Sequence, residues 1–468
     1  MNLKELFNPK TIAVIGANES EGFGGAVCKN LTSLIDDEDR IFYINPKRDF
    51  LFGKKCYKSI VDVPVDIDLM IIAVNKKIVC NVLKEGKEKN VKAAVVFASG
   101  YGETGKIEDI ELEKELLKTA NDLDITILGP NCAGFSNFID GVNAFAFLSE
   151  KRERKGSIGI ISQSGMIGLS LIDNQWTKFS YNISCGNSID VKMQNLICFL
   201  ADDVNTKVIG LYIDGIKDIL SFEKALAYAK EKNKKIVLIK SGSNEKTKQL
   251  AKQHTGSVES FSDEEFDKMI HKYNVIRTRD LEEFIYTLVC ISCYDKLPEG
   301  NRIASINLSG GEAAIVGEVA PMFDVSFPEF TNEVSVYLKE RLPDYANISN
   351  PLDMTVTLSY DAEKFSDALI NIMMQTEIDM VVIGYTLLYH IDDPCIYYMI
   401  DAISMTKEKL KDKMKPIFIL SFMSCSRNQE AIEKLMKLGV VCLPSPYYGF
   451  KVICNLLREP LKSEPLKK

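Results

Sequence analysis

One of the three histidines in this 468-residue chain has neighbours that suit chemistry. His254 lies in the stretch HTGS, behind the Lys- and Ser-rich loop IKSGSNEKTKQ. An imidazole nitrogen can attack phosphorus and carry a phosphoryl group when a carboxylate fixes its tautomer and helix N-termini hold the anion. The stretch LYIDGIKD offers that carboxylate, Asp214, at the end of an apolar strand pattern. The pattern alone fits a structural His254 in a simple Thr-Gly-Ser turn equally well.

Two further turns have the form of anion-binding helix starts. SQSGMIG and LSGGEAA each follow a strand pattern and open an apolar helical one. Their small residues are Ser162, Ser164 and Gly165 in the first turn, and Ser309, Gly310 and Gly311 in the second. Small residues at a helix start leave backbone N–H groups open to an anion. A single such turn is mostly structural, but two of them beside a candidate nucleophile favour phosphate binding.

The elements that must position these residues alternate along the whole chain. Short apolar runs that end in Gly, Ser or Asn are separated by helix-length segments, which predicts parallel sheets with helices on both faces. Two charged links, SEKRERKG and YDKLPEGN, divide the pattern into three blocks. We therefore predict an α/β fold of three doubly wound parallel-sheet domains, at residues 1–150, 151–298 and 299–468. Ligands of such sheets bind beyond the carboxyl ends of the strands.

The first block ends its opening strand in VIGANESEGFGGAV, where glycines allow a phosphate to approach the backbone closely. The spacing is not G-x-G-x-x-G, so a plain strand–helix turn also fits. Lys47 and Arg48 end the second strand where an NAD site would need an acidic residue, which favours a ribose phosphate such as that of NADP or coenzyme A. The later GYGETGKI resembles a P-loop but has Ile107 in place of the Mg²⁺-binding Ser or Thr.

Composition limits the class of protein further. The chain is 46% hydrophobic and 26% charged, which is ordinary for a soluble protein, and its net charge of −8 argues against binding to nucleic acid or an anionic membrane. MNLKELFNPK has no apolar signal core and no apolar run reaches about 18 residues, so we expect a cytoplasmic protein. The CxxC pair Cys290 and Cys293 lies in a helical pattern without a second half-site, and no metal site is predicted.

Taken together, the segments resemble the NDP-forming acyl-CoA synthetases, and within them the alpha subunits of ADP-forming acetyl-CoA synthetases, which are related to succinyl-CoA synthetase. The segments that carry the resemblance are FNPKTIAVIGA, YINPKRD, VVFASGYGE, ILGPNCAGF, SQSGMIG, LADDVNTKVIGLYIDGIKD, LIKSG, HTGS, VIRTRDLEEF, NLSGGEAA and SNPLDMT. The resemblance implies a Rossmann-like CoA-binding domain followed by two flavodoxin-like ligase domains.

The resemblance also implies the residues that bind CoA. Those in the first domain would be Gly16, Ala17 and Asn18 near the pyrophosphate, Lys47 near the adenosine-phosphate end, and Val74, Asn75, Ser99 and Gly100 along the remainder. Gly129, Pro130 and Asn131 would lie near the thioester. CoA and phosphate would thus both be bound by this chain.

The reaction implied by the resemblance passes through His254, with both Ser-Gly turns facing its phosphoryl group. Acyl-CoA and phosphate would give an acyl phosphate, His254 would take the phosphoryl group, and ADP would then receive it in a reversible sequence. The family places Glu where this chain has Asp214, so the carboxylate is one methylene shorter. Many members read G-G-P where this chain has Glu312 third, and that carboxylate would oppose phosphate if it pointed inward.

About 170 residues follow the second boundary, and we expect no nucleotide fold among them. The resemblance implies an ATP-grasp beta subunit that binds ADP or ATP and Mg²⁺ and forms a hetero-oligomer with this chain. A second interpretation is a CoA- or acyl-CoA-binding protein that lacks full ligase activity. A third, an NADP-linked enzyme, leaves HTGS and both Ser-Gly turns unused. The sequence does not specify the acid that is activated.

Overall fold

The computed structural model of this chain describes residues 3–34, 38–149, 155–174, 176–242 and 261–457. The chain forms two compact units, Met1–Leu281 and Glu282–Lys468. None of the helices formed by these described residues has the length and apolar character that crossing a membrane requires.

The first sheet of the first unit has seven described strands. They are β1 (Ile12–Ile15), β2 (Ile41–Ile44), β3 (Phe50–Leu51), β4 (Lys54–Tyr57), β5 (Leu69–Ile72), β6 (Ala93–Val96) and β7 (Thr126–Leu128). Their order is β3-β4-β2-β1-β5-β6-β7, and each pair is parallel except β3 with β4. The helices of this part are α1 (Lys4–Phe7), α2 (Phe23–Leu34), α3 (Val79–Lys87) and α4 (Ile107–Leu123).

The second sheet of the first unit also has seven described strands. They are β8 (Gly134–Asn137), β9 (Val142–Phe145), β10 (Lys155–Ser162), β11 (Phe179–Ser184), β12 (Val208–Ile213), β13 (Lys235–Lys240) and β14 (Ile276–Arg277), in the order β14-β13-β12-β10-β11-β8-β9. The β8–β9 hairpin is antiparallel and joins β11 in antiparallel pairing. The accompanying helices are α5 (Gly165–Ile172), α6 (Met193–Asp202), α7 (Ile219–Glu231) and α8 (Asp263–Lys272).

The second unit has one wholly parallel sheet in its described part. Its strands are β15 (Ile303–Asn307), β16 (Leu352–Asp353), β17 (Met380–Gly384), β18 (Ile417–Leu420) and β19 (Val441–Leu443), in the order β16-β15-β17-β18-β19. The helices of this region are α9 (Leu281–Cys293), α10 (Gly310–Val319), α11 (Asn332–Lys339), α12 (Ala362–Met373), α13 (Cys395–Leu410), α14 (Gln429–Lys437) and α15 (Pro446–Leu456).

All three sheets contain the same five-strand arrangement. When the five main parallel strands of each sheet are numbered along the chain, their spatial order is 2-1-3-4-5, with β1, β10 or β15 as strand 1. The chain reverses direction across the sheet beside strand 1, and ligands of such folds bind beyond its carboxyl end. The predicted doubly wound fold is confirmed, and the Gly- and Ser-rich turns of the sequence each follow one of these three strands.

The local sequence explains these elements. The central strands are apolar without alternation, and Ile12, Ala13, Val14 and Ile15 of β1 are all buried. Such strands need helices on both faces, because neither face tolerates water. Many helices begin where a short polar side chain accepts an N–H from the first turn, which stabilises the helix start by about 1 kcal/mol each. These capping residues are Ser164, Asp218, Ser262, Ser309, Thr331, Asp361, Asn428 and Ser445.

The three sheets and the two compact units change at other positions in the chain than the two charged links of the sequence. Residues 134–145 pair with the second sheet, although they precede the predicted boundary at 150. The compact units change at Leu281, before the predicted boundary at 298, because α9 packs inside the second unit, where Glu283 accepts from Asn455 at 2.9 Å. The domain boundaries stay predictions. The apolar run FDVSF, residues 323–327, contributes only a single bridge, from Ser326 to Arg302.

Candidate active site

The carboxyl ends of the first sheet's strands lie level with one another. Ile15 is paired with both Ile44 and Ile72, and Ile72 is paired with Val96. The loops that follow these strands therefore lie along one edge. They carry all the residues predicted to bind CoA, namely Gly16, Ala17, Asn18, Lys47, Val74, Asn75, Ser99 and Gly100.

The turn after β1 can exist only with glycine at two places. Gly16 has φ +84°, and a Cβ there would lie 2.5 Å from the carbonyl oxygen of Ala73. A Cβ on Gly24, in the first turn of α2, would lie 2.4 Å from the oxygen of Gly16. The side chain of Asn45 donates to the carbonyl oxygen of Ala17 at 2.8 Å, which ties this turn to the loop after β2. The turn is thus a fixed, bare stretch of backbone at a helix start, as phosphate binding requires.

The neighbouring loops present exposed polar groups. Lys47 is exposed, and its backbone N–H donates to the Asn45 side chain at 2.9 Å. Gly100 donates its N–H to Oε1 of Glu103 at 2.5 Å, and its carbonyl accepts from Lys76. The hydrogen bond from Lys76 holds the pKa of Asp109 below its ordinary value. The loop after β6 is therefore held by the charged side chains of Glu103 and Lys76.

The second sheet has an edge of the same kind. Ser162, the last residue of β10, is paired with Ser184 and with Tyr212. Its buried hydroxyl accepts the N–H of Ser164 at 3.1 Å and donates to the Ser164 carbonyl at 2.7 Å. Ser164 then caps α5, whose first turn contains no acidic residue. A Cβ on Gly165 would lie 2.8 Å from that of Ala133, so glycine is needed at this helix start.

Asp214 lies at the same edge, directly after β12. Its side chain is 8% exposed and accepts from the Ser241 hydroxyl at 2.9 Å, while its backbone N–H donates to Gln163 at 2.5 Å. Burial, followed by the charge of Asp214, raises the pKa of Tyr212 to about 12. The carboxylate predicted as the partner of a histidine is therefore held between the ends of β12 and β13.

His254 lies outside the described residues, as does the whole of 243–260. The described chain on either side of that segment is close to the end of β13. Ser241 contacts Asp214, and Nζ of Lys240 lies 5.8 Å from the centre of the Phe261 ring. The other two histidines, His271 and His390, are exposed.

The two edges of the first unit meet at the loop after β7. Gly129, Pro130 and Asn131 follow that strand, and the carbonyl of Pro130 accepts the N–H of Asn187 at 2.9 Å. A Cβ on Gly186 would lie only 2.3 Å from the same carbonyl oxygen. The predicted thioester loop thus packs directly on the loop after β11.

A cavity of about 110 Å³ lies where these loops meet. Its wall includes Asn131, Gln163 and Asn187, together with Gly215 beside Asp214. Of the predicted site residues, Asn131 therefore lines this cavity, and Asp214 precedes the lining residue Gly215 in the chain. Nearby thiols do not supply a nucleophile at neutral pH, because burial raises the pKa of Cys132 to about 12 and that of Cys185 to about 11. The described residues contain no cluster of three or more His, Cys, Asp or Glu able to hold a metal.

The second Ser-Gly turn belongs to the second unit and differs in detail. Ser309 caps α10 and accepts the N–H of Glu312 at 3.4 Å. The Glu312 carboxylate turns back and accepts the N–H of Leu308 at 3.1 Å. A Cβ on Gly310 would lie 3.0 Å from a carboxylate oxygen of Asp353. Two carboxylates therefore already lie at the start of α10.

Sequence reasoning missed the polar residues that connect the loops, among them Gln163, Asn187, Glu103 and Ser241. Gln163, Asn187 and Ser241 lie just after strands, so strand position was a usable signal for these three. Glu103 lies further along the loop after β6, in the 3-10 turn Gly102–Thr104. Their partners were not readable, because Gln163 bonds to a loop 51 residues away and Asn187 to one 84 residues away. Such pairings depend on which strands are neighbours.

Known proteins match this chain along most of its length. Residues 10–137 match the family model described as a CoA binding domain, and residues 155–291 match the one described as a succinyl-CoA ligase like flavodoxin domain. Subunit alpha of the ADP-forming acetate–CoA ligase II of Pyrococcus furiosus is 33% identical over 356 residues, which are 75% of this chain and 76% of that subunit.

Longer relatives and a solved structure agree with this match. An ADP-forming acetate–CoA ligase of Methanocaldococcus jannaschii is 36% identical over 75% of this chain and 49% of its own length. The chain spans about half the length of the first curated relatives it matches. The structure of acetyl-coenzyme A synthetase 1 from Candidatus Korarchaeum cryptofilum, described as dinucleotide forming and in complex with phosphate and ADP, has a TM-score of 0.81 and 26% identity, covering 97% of this chain and 96% of that one.

Proposed function

Since this chain belongs to the ADP-forming acetate–CoA ligase family, we propose that it is the alpha subunit of an ADP-forming acyl-CoA synthetase. It interconverts acyl-CoA, ADP and phosphate with the free acid, ATP and CoA. An acyl phosphate and a phosphorylated His254 are the intermediates.

One observation carries this proposal. The loop Gly129–Asn131, at the edge of the CoA-binding sheet, packs against the edge that holds Ser162–Gly165 and Asp214, and both border one cavity of about 110 Å³. A thioester bound by the first sheet can thereby meet a phosphate held by the second. A CoA-binding protein without ligase activity would not need this junction, so the structure favours that alternative less.

The chemistry divides among the chain's residues as follows. A phosphate oxygen at the start of α5 attacks the thioester carbonyl carbon, the C–S bond breaks, and CoA leaves as the thiolate. A nitrogen of His254 then attacks the phosphorus, and the carboxylic acid departs with the bridging oxygen. Asp214 accepts the other ring N–H, which fixes the tautomer and stabilises the imidazolium. The open N–H groups of α5 offset the phosphate charge.

The position of His254 in the sequence is compatible with this role. It is seven residues before Phe261, whose ring lies near the end of β13, so it can reach at most about 25 Å from there. Ser241, on the other side of the segment, already touches Asp214.

The last step transfers the phosphoryl group from His254 to ADP, and we assign nucleotide binding to a partner subunit. The name of the Pyrococcus relative as a subunit alpha supports the existence of a partner. We propose that this partner has an ATP-grasp fold and holds ADP or ATP with Mg²⁺. Lys47 would contact the phosphate on the CoA ribose in the first domain.

Phosphoryl labelling of the purified chain tests the proposal. The chain and its His254→Ala variant are incubated with radiolabelled phosphate and a panel of acyl-CoAs, starting with acetyl-CoA. We expect an acid-labile, base-stable label on the native chain and none on the variant, and the acyl-CoA that works best identifies the acid. A native chain that binds CoA but takes no label with any acyl-CoA contradicts the proposal.

A further inference from the structure

The side chain of Asn187 connects three loops of the first unit. Its Nδ2 donates to Glu103 Oε2 at 2.6 Å and to Glu113 Oε2 at 2.8 Å. Its Oδ1 accepts from Nδ2 of Asn131 at 3.2 Å. One amide thus joins the loop after β6, the second turn of α4 and the loop after β7, while itself following β11.

The two glutamates are themselves fixed by backbone. Glu103 accepts the N–H groups of Gly100 and Tyr101 at 2.5 and 3.0 Å, and Glu113 accepts that of Gly102 at 3.1 Å. Gly100 is one of the residues assigned to CoA. A shift of the CoA loop would therefore move both carboxylates that Asn187 contacts.

These contacts leave only one orientation for each amide. Ionised carboxylates accept hydrogen bonds and cannot donate them, so the NH₂ group of Asn187 must face Glu103 and Glu113. Its oxygen then faces Asn131, which must answer with its own NH₂ group. Asn131 lines the cavity at a left-handed φ of +56°, so its backbone as well as its amide has a defined direction. The two carboxylates thereby determine which side of the Asn131 amide donates and which side accepts, and Asn131 lines the cavity.

We propose that Asn187 is a positioning residue: it fixes the orientation of the Asn131 amide at the thioester and ties that orientation to the CoA loop through Glu103. The proposal rests on the function proposed above. In this role Asn187 and Glu103 act through Asn131. Their contribution is to hold Asn131 in place before the phosphate attacks, so that no reorganisation is needed during the reaction.

A reversal of the bond polarity tests this role. Asn187→Asp places a carboxylate against Glu103 and Glu113, and Glu103→Gln places an amide NH₂ against that of Asn187 or against the backbone N–H groups. In the double variant, the new amide at position 103 can donate to the new carboxylate at position 187, which still accepts from Asn131. Glu113 still lies against that carboxylate, so the rescue is expected to be partial. The exposed Asn90, which donates to Asp66 at 3.0 Å in the loop before β6, gives the matched control Asn90→Asp.

The readout is the rate of His254 labelling in the full chain as acyl-CoA concentration is varied. We expect Asn187→Asp to lower the rate at saturation about 10- to 100-fold, with a change of less than about threefold in the half-saturating concentration. If Asn187→Asp lowers the saturating rate about 100-fold, the double variant should label at least about tenfold faster than Asn187→Asp. Asn90→Asp should label at the native rate. Thermal unfolding of each variant is followed in parallel.

Each remaining outcome is decisive. Native-like labelling of Asn187→Asp overturns the positioning role, as does a slow variant that Glu103→Gln does not rescue at all. A loss that appears only as a lowered unfolding temperature, with the saturating rate intact, also overturns it. A native chain that takes no label removes the proposed function itself, and that result is distinct from all the others.

Discussion

The starts of α5 and α10 look alike in sequence and differ in structure. Each follows strand 1 of a 2-1-3-4-5 sheet, and each is capped by a serine, Ser164 or Ser309. The first turn of α5 contains no acidic residue. At α10, Glu312 folds back onto Leu308, and Asp353 lies beside Gly310. One helix start is open to an anion, and the other already holds carboxylates.

The difference shows that small residues alone do not make an anion site. The partial positive charge at a helix start can be offset by a ligand or by a carboxylate of the chain itself. Ser162, Ser164 and Gly165 fit the first case. Burial raises the pKa of Glu312, with hydrogen bonds from Leu308 and Ser309 opposing part of that rise. Ser309, Gly310 and Gly311 were predicted to bind phosphate. The helix start that they form already has carboxylates of the chain beside it, which disfavours the binding of a further anion there.

The largest expected effect comes from copying that carboxylate into α5. Ile167 occupies the position in α5 that Glu312 occupies in α10, so Ile167→Glu completes a Ser-x-x-Glu capping pattern without harm to the helix start. We expect His254 labelling to fall about 100-fold, since a like charge near bound phosphate costs a few kcal/mol. Ile167→Gln loses the same apolar contacts without the charge and should fall less than about tenfold. Equal losses in the two variants would contradict an electrostatic difference between the helix starts.

The second largest difference is expected when one glycine of each turn is replaced by alanine. Gly165→Ala brings a Cβ within 2.8 Å of Ala133, while a Cβ on Gly311 meets nothing within 4 Å. We expect Gly165→Ala to lower labelling about tenfold by shifting α5, and Gly311→Ala to leave it unchanged and raise stability by a few tenths of a kcal/mol. Labelling rates with calorimetric unfolding measure both. Slower labelling of the Gly311→Ala variant would contradict this difference, because it would indicate that the start of α10 takes part in the reaction.

The capping serines should behave alike in stability and differently in activity. Ser164→Ala and Ser309→Ala each remove one N-cap hydrogen bond and should cost about 1 kcal/mol of unfolding free energy. Only Ser164→Ala should slow labelling, by about five- to tenfold, because only that cap orders an open helix start. Chemical denaturation and labelling of the pair test this, and matching activity losses would oppose it.

The smallest effect concerns pH. Because the pKa of Glu312 is raised in the folded chain, the unfolded chain loses that proton first as pH rises. The native chain should therefore lose unfolding free energy relative to Glu312→Gln between the ordinary pKa of a glutamate and the raised folded value, with the full deficit above that value. Denaturation of both proteins from about pH 4 to pH 7 follows the difference. A difference that is flat or shrinks with pH would contradict the assignment.

The fold could be predicted from the sequence because the apolar pattern of the strands, the turn residues and the sheet arrangement all agree. Apolar runs such as Ile12–Ile15 cannot be left half-exposed, so they predict a sheet covered on both faces. The serine and glycine turns then had to fall at the carboxyl edges. What escaped prediction were the short strands: β3 is two residues long, and the β8–β9 hairpin joins a sheet whose other strands come later in the chain.

The sequence predicted which residues lie at the candidate site, but it did not predict the hydrogen bonds between them. Asp214 and Ser164 were found because they follow strands. The hydrogen bond from Gln163 to Gly215 and the contacts of Asn187 depend on loops brought together from distant parts of the chain. The direction of Glu312 could not be read either, because a carboxylate in the first turn suits the helix dipole whether it faces a ligand or caps the chain.

Locating a bound anion tests the comparison most directly. Crystals of the full chain grown with arsenate, a phosphate analogue that is visible by anomalous scattering, would show which helix start takes the anion. We predict an arsenate at the start of α5, held by backbone N–H groups beside Ser164 and Gly165, and none beside Gly310 and Gly311. An arsenate at α10, with Glu312 turned away and α5 empty, would contradict the difference between the two helix starts.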